Sequence, residues 1–412
     1  MRVVIVNQFF WPDIAPTGQY ATDLSRHLSA EGHDVTVICS AGSYAQGKYS
    51  DEDPRPPVKV IRVPGFAYKR SILARLYSYA TFFIGALWHQ LRVPKPDLII
   101  NMTTPPLLGV TGAIVKMLRG TRLFLWEMDL FPDALVTLGA LAPRGIFTQI
   151  LAWIQDVTRR RSDGVIVLGE CMRTRLLARG TPTSLIHVVE NWADGTAITP
   201  GPNRRSSPLT LLYSGNLGLA HDVDTVTAVL RHFRNDSRFV FTFAGGGVGR
   251  AELQRICAAE AIENAHFIPY VDRGRMNEHL AQADIGLVTE RPACIGTVVP
   301  SKTYSMMAAG RPILFIGPRE ATPGLVVQRF QCGWQVDPGD VGTLIALLEW
   351  SSASRETLWQ YGQRARCAFE QHYDMRLGVA KVAAVLGLGT ADKAQPHEAI
   401  SADFPSVERK LV

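Results

Sequence analysis

The sequence predicts an α/β protein built from two doubly wound parallel-sheet domains that face one another across a cleft. Three observations carry this. The chain opens on a continuous β-branched apolar run, Val3-Val4-Ile5-Val6, as in a strand buried on both faces. That run, a helical pattern and a second apolar run, Val35-Thr36-Val37-Ile38, follow within about forty residues, which makes a βαβ unit. A polar stretch at 197–208, rich in Pro, Gly, Asn, Arg and Ser, interrupts the alternation, which then restarts.

After the first strand, a loop with Pro12, Pro16 and Gly18 leads into a helix with Tyr20, Ala21, Leu24 and Leu28 on one face. Gly32 stops it. Further strands of the first domain are expected at 58–63, 97–101, 121–126, 164–168 and 185–189. Those of the second are expected at 209–213, 239–243, 266–269, 285–288 and 313–316. Residues 354–386 read as helix with a break near Tyr373 and Asp374, and the polar chain beyond Gly387 reads as a mobile tail. The expected division is therefore a first domain at 1–197, a linker at 198–208, a second domain at 209–370, a terminal helix at 371–388 and a tail at 389–412.

The chain has 412 residues, 47% of them hydrophobic, enough for more than one core. A net charge of +6 favours anionic partners such as phosphates, sugar nucleotides or lipid head groups. The basic residues are scattered and no nucleic-acid motif occurs, so no nucleic-acid partner is expected. The six cysteines form no CxxC pair and no zinc spacing with histidine, so no metal is expected and reduced thiols in a cytoplasmic protein are. Val3 to Val6 is far shorter than the apolar core of a signal peptide.

In doubly wound sheets, ligands bind in the crevice beyond the carboxyl ends of the strands. The first such loop holds Pro16-Thr17-Gly18-Gln19 at a helix start, where Gly18 admits a ligand to the backbone and the helix amides suit a phosphate. No GxGxxG occurs, which disfavours a dinucleotide site. After Trp126 come Glu127, Asp129 and Asp133. A carboxylate here can bind acceptor hydroxyls or serve as a base, and capping the next helix is the alternative. The opening loop of the second domain, Ser214-Gly215-Asn216-Leu217-Gly218, with His221 after it, bares backbone in the manner of a pyrophosphate cradle. His221 reads as a donor to a phosphate oxygen or as a helix cap. Gly245 and Gly246, with Arg250, follow the next strand. The richest segment runs from Glu290 through Val299 to Pro300-Ser301-Lys302, then Ser305 and Gly310. Lys302 adds a mobile cation to a helix start that already attracts anions, whereas a structural cap there would more often be acidic.

With these pieces assembled, the chain resembles family 4 glycosyltransferases of bacterial exopolysaccharide, colanic acid and O-antigen synthesis, including fucosaminyl transferases. The matching blocks occur in family order over roughly residues 1 to 385. They are Pro16-Thr17-Gly18; Gly32-His33-Asp34-Val35-Thr36-Val37; Asp129 to Asp133; Asn191; Tyr213 to Gly218; Ala244 to Gly247; and Pro300-Ser301-Lys302 through Pro312. The resemblance implies the GT-B fold of two Rossmann-like domains, with a terminal helix crossing back to the first. It also implies a retaining, metal-free reaction with a nucleotide-sugar donor, a UDP-sugar being favoured, and a saccharide or lipid-linked acceptor. Catalytic roles then fall on Asp129 and Lys302. Donor contacts fall on Gly18, Gly215, Asn216, Gly218, His221, Gly245, Gly246, Arg250, Glu290, Val299, Ser301, Lys302 and Ser305, and acceptor contacts on Thr17, Gln19, Asp129 and Asp133. The sequence departs from the pattern where many members carry two glutamates eight positions apart: Thr297 and Ser305 stand there.

The stretch 71–91 is apolar on nearly all faces and flanked by Lys69, Arg70, Arg75, Arg92 and Lys95. Its charge-free core is too short to span a bilayer, which takes about 20 residues. It reads either as a helix lying in a membrane interface at the inner face of the cell membrane or as a buried helix. Two other functions fit the same architecture: a sugar-nucleotide 2-epimerase, which needs no acceptor, and a non-catalytic sugar-nucleotide-binding subunit.

Overall fold

The computed structural model describes residues 1–13, 15–41, 54–64, 72–203 and 208–389, with the backbone alone for 72–76. The tail beyond 389, Ser71, most of the first basic flank and residues 204–207 of the linker lie outside them.

Two parallel sheets organise the molecule. The first contains β1 (Arg2–Val6), β2 (Asp34–Ser40), β3 (Lys59–Val63), β4 (Leu98–Met102), β5 (Arg122–Glu127), β6 (Gly164–Val167) and β7 (Ile186–Val188), in the spatial order 3-2-1-4-5-6-7. The second contains β8 (Leu209–Asn216), β9 (Phe239–Gly246), β10 (Ala265–Ile268), β11 (Ile285–Thr289), β12 (Ile313–Ile316) and β13 (Gly333–Val336), in the order 10-9-8-11-12-13. The order reverses between β1 and β4 in one sheet and between β8 and β11 in the other, and such reversals open the crevices that hold ligands. The central strands are buried on both faces, as their unbroken apolar runs require.

Three strands differ from the sequence expectation. β8 and β9 each run three residues further than expected, through the glycines taken for loops, because Gly215 pairs with Gly245 and Asn216 with Gly246. Gly245 has φ +117°, and a Cβ there would strike the Gly215 carbonyl oxygen, so the two strand ends meet backbone on backbone. β13 is a short edge strand whose four residues show no readable period.

The helical stretch expected at 354–386 breaks where expected, near Tyr373 and Asp374, into the helices Arg355–His372 and Met375–Val385. Asp374 separates them as N-cap, its side chain accepting from Arg376 N at 3.0 Å. Val379, Val382, Ala383 and Leu386 of the second helix belong to the core of the first domain, where this helix packs on the helix Pro16–Ala30.

Candidate active site

The crevice of the second sheet gathers the strongest cluster. Glu290 follows β11 directly. Lys302 opens the helix Lys302–Ala308, with Ser301 before it as N-cap. The Lys302 ammonium lies 4.8 Å from the centre of the Tyr213 ring, and its Cε faces the vacant Cβ position of Gly215 at 3.3 Å. Any side chain at 215 would crowd the lysine, so this glycine is what admits the cation to the strand end. Burial pushes the Lys302 ammonium down to about 8 despite the opposing pull of Glu290. Burial pushes the Glu290 carboxyl up to about 8 against the pull of Lys302. Glu290 Oε1 is buried and has no hydrogen-bond partner among the described residues. The pair is thus a half-buried cation and a buried carboxyl whose charges depend on one another, beside bare backbone.

His221 stands with them, but not in the role its position suggests. Its Nδ1 lies 2.6 Å from the Thr289 carbonyl oxygen, which can only accept, so Nδ1 carries the proton. Burial and then the Lys302 charge push the imidazole down to about 3. The ring is therefore neutral at pH 7 with Nε2 an acceptor, and in this state it cannot donate to a phosphate. Arg250 is also committed elsewhere: Nη2 donates to Ile268 O at 3.1 Å and Nη1 to Gln254 at 3.2 Å. It ties β9 to β10 rather than standing ready for an anion. Ser305 donates back to Lys302 O at 3.0 Å within its own helix.

Across the cleft, the three carboxylates after β5 separate. Glu127 is 2% exposed and meets Arg159, with Nη2 to Oε2 at 2.8 Å, and Gln155 at 2.7 Å. Asp133 lies 3.6 Å from both Arg175 and Arg179, which turns this expected acceptor contact into part of an ion-pair network. Asp129 is half-buried, and burial pushes its carboxyl up to about 6. Of the three, it is the one whose side chain forms no ion pair among the described residues. Its neighbour Leu130 donates its amide to Thr297 O at 2.8 Å, which fastens the Asp129 loop to the loop preceding Lys302. Arg175 Nη1 donates to Ile295 O at 3.0 Å on the same seam.

The opening helix reaches this seam as well. The Tyr20 hydroxyl lies beside Ser301 and donates to Trp192 O at 3.4 Å. Thr17 accepts from Asn7 Nδ2 at 3.2 Å, and Gln19 is half-buried in the first helical turn. Gly18 is buried, and a Cβ there would press on the chain's own backbone at Phe9 and Phe10. Val299 packs against the first-domain core. Asn216 is exposed, and Gly218 and Gly246 are half-buried. A Cβ on Gly246 would meet the Tyr270 ring. Tyr20 and Tyr213 read in the sequence as a helix-face residue and as part of a matching block, not as site residues; an aromatic residue two positions before Gly215 was the available signal for Tyr213. No group of three or more His, Cys, Asp or Glu able to hold a metal occurs among the described residues.

Comparison with known proteins agrees with this geometry. Residues 17–192 match the family described as glycosyl transferase 4-like domain, and residues 196–367 match glycosyl transferases group 1. WbjE of Pseudomonas aeruginosa, described as a glycosyltransferase, is 24% identical over 403 residues, covering 93% of this chain and 97% of its own. WcaI of Escherichia coli (strain K12), described as a colanic acid biosynthesis glycosyl transferase, is 24% identical over 335 residues, covering 75% of this chain and 82% of its own. Among solved structures, sucrose-phosphate synthase from Thermosynechococcus elongatus superposes with a TM-score of 0.74 at 13% identity, covering 94% of this chain and 98% of its own. Anabaena HepE in complex with UDP and glucose superposes with a TM-score of 0.72 at 13% identity, covering 94% and 99%. The chain belongs to the GT-B glycosyltransferases, with a glycosyl transferase 4-like domain preceding a group 1 domain.

Proposed function

We propose that this enzyme transfers a sugar from a UDP-sugar to a saccharide or lipid-linked saccharide acceptor, with retention of configuration, in bacterial surface polysaccharide synthesis at the inner face of the cell membrane. The observation that carries the reading is Lys302, a half-buried cation held over Tyr213 beside the bare backbone of Gly215 and opposite the Asp129 loop. The solved relative HepE, which binds UDP and glucose, supports the donor class, and WcaI supports the polysaccharide setting.

In this reading the diphosphate lies along the Gly215–Gly218 backbone with its charge met by Lys302 and the amides at Ser301. The Asp129 carboxylate accepts a hydrogen bond from an acceptor hydroxyl beside the reacting one and so positions the acceptor. The oxygen of the reacting hydroxyl attacks the anomeric carbon from the face the leaving group departs. The bond from that carbon to the β-phosphate oxygen breaks, the electron pair stays with the nucleoside diphosphate, and the hydroxyl proton passes to the departing phosphate oxygen. Lys302 supplies the countercharge, so the reading requires no metal.

The test is thermal stabilisation by UDP, GDP, ADP, dTDP and CDP, since a ligand that binds only the folded state raises Tm by mass action. UDP is expected to give the largest shift. Lys302→Ala is expected to weaken UDP binding about ten- to a hundredfold, the worth of a charge-assisted contact. A shift with another nucleotide alone would replace the donor class; a UDP shift unchanged in Lys302→Ala would remove the phosphate role.

A further inference from the structure

Three helices of the first domain lie side by side on one face of its sheet: Ile72–Arg92, Gly109–Arg119 and Ile146–Arg161. Their inner faces are ordinary core, with Phe82, Ala86 and Val115 fully buried. Their outer faces are not ordinary surface. Nine of the sixteen exposed large apolar side chains among the described residues sit on these three helices, including Ile84 (71% exposed), Trp88, Met117, Phe147, Ile150 and Trp153 (64%). An exposed apolar patch of this kind marks an interaction site. The expected contact at 71–91 is therefore one part of a wider face, and its largest share of exposed apolar residues falls on the helix Ile146–Arg161.

Charge identifies the occupant. Besides the buried Arg159, the three helices carry six Lys and Arg, and their single acid, Asp156, has its carboxylate taken by Arg159 and Arg179. In the whole chain the ratio is 43 to 37. Arg160 and Arg161 are exposed at the end of one helix, and the exposed Arg92 lies 3.9 Å over the Trp88 ring at the end of another. Aromatic and aliphatic side chains ringed by arginine fit the boundary of an anionic bilayer, where rings sit at head-group level and guanidinium groups meet phosphate. A second copy of this face would oppose like charges. No helix among the described residues is long and apolar enough to cross a membrane, so the contact is interfacial.

We infer that this three-helix face docks on an anionic lipid bilayer. The inference deepens the proposed function by locating the side of the enzyme from which a lipid-linked acceptor would arrive. The helix that presents Phe147 and Trp153 outward holds Glu127 inward through Gln155 and Arg159, two positions from Asp129. The bilayer contact and the acceptor wall thus share one rigid element.

The experiment is flotation of the full chain with vesicles of phosphatidylglycerol and phosphatidylethanolamine, and separately with phosphatidylcholine alone. The protein is expected to float with the anionic vesicles, at least fivefold less with phosphatidylcholine, and less as salt is raised. Phe147→Ser with Trp153→Ser, both exposed and so compatible with folding, is expected to lower the bound fraction at least fivefold, as is Arg160→Glu with Arg161→Glu. Leu325→Ser, an exposed apolar residue of the second domain, is expected to change nothing. Absence of flotation, or flotation undiminished in both double variants, overturns the inference. So does a vesicle-free dimer that the Phe147 and Trp153 changes dissolve, which would make the face an interface between copies. UDP binding measured without vesicles reports on the donor reading alone, so failure of either proposal is recognised separately.

Discussion

At the scale of single residues, Lys302 and Glu290 set each other's charge. Burial drives each toward its neutral form and the other's charge opposes it, so both titrate near pH 8 and as a coupled pair. Binding a nucleoside diphosphate favours the ammonium. UDP affinity is therefore expected to be steady at neutral pH and to fall above about pH 8, approaching tenfold per pH unit, as the unliganded enzyme loses the Lys302 proton. Glu290→Gln removes the charge that holds the lysine's affinity for its proton up, so the fall should begin at lower pH. Isothermal titration across the range checks this, and a profile that does not move would separate the two groups. Asp129 sets the acid limb: with its carboxyl at about 6, kcat/KM should rise as pH passes about 6, and Asp129→Asn should abolish that limb and lower kcat by about a hundredfold or more. Glu290 and Asp129 were legible in the sequence as charged residues just beyond an apolar run, and Lys302 as a cation at a helix start. His221 was legible as a site residue but its proton was not, since that depends on which carbonyl the fold brings to Nδ1.

At the scale of elements, the loop after β5 shows how far spacing reaches. Glu127, Asp129 and Asp133 look alike in sequence, and what separates them is the helix Ile146–Arg161, whose Arg159 and Gln155 arrive from about thirty residues away and claim Glu127. Arg159 is wholly buried and Glu127 nearly so, so removing one partner strands the other's charge. Arg159→Met should cost about 3–5 kcal/mol in urea unfolding, whereas Arg159→Met with Glu127→Gln should recover most of it. A double variant no better than the single would show that shape at this position matters more than charge. The glycine-rich stretches follow the same logic in reverse. Gly215 and Gly245 were readable as places needing bare backbone, but whether the bareness served a ligand or a neighbouring strand was decided by the pairing of β8 with β9.

At the scale of the molecule, the two-domain architecture was readable from the alternation of apolar runs, while the crossing of the terminal helix back to the first domain was expected from the family resemblance and not from the residues, because the contacts involved span most of the chain's length. The helix Met375–Val385 follows the second domain in sequence yet completes the core of the first. Its entry is marked by Gly378, where a Cβ would clash with Cε3 and Cδ2 of the Trp192 ring. That ring cannot swing aside. Its Nε1 donates to Asp23 Oδ2 at 3.0 Å, and it is wedged against Tyr20 at 5.0 Å and Trp126 at 5.7 Å. Two effects therefore compete in Gly378→Ala. Helix propensity alone would stabilise by about 1 kcal/mol. Overpacking a rigid contact costs about 1–3 kcal/mol. The ring's three fixed neighbours put the clash toward the upper end, so the variant should be destabilised by about 1–2 kcal/mol, a fall of a few degrees in Tm for a domain of this size. Gly342, in the helix Val341–Ala353 and with open space around it, provides the control in which the same change should raise Tm. A rise at both positions would mean that the terminal helix does not seat against Trp192, and the first domain would then have to be stable without it.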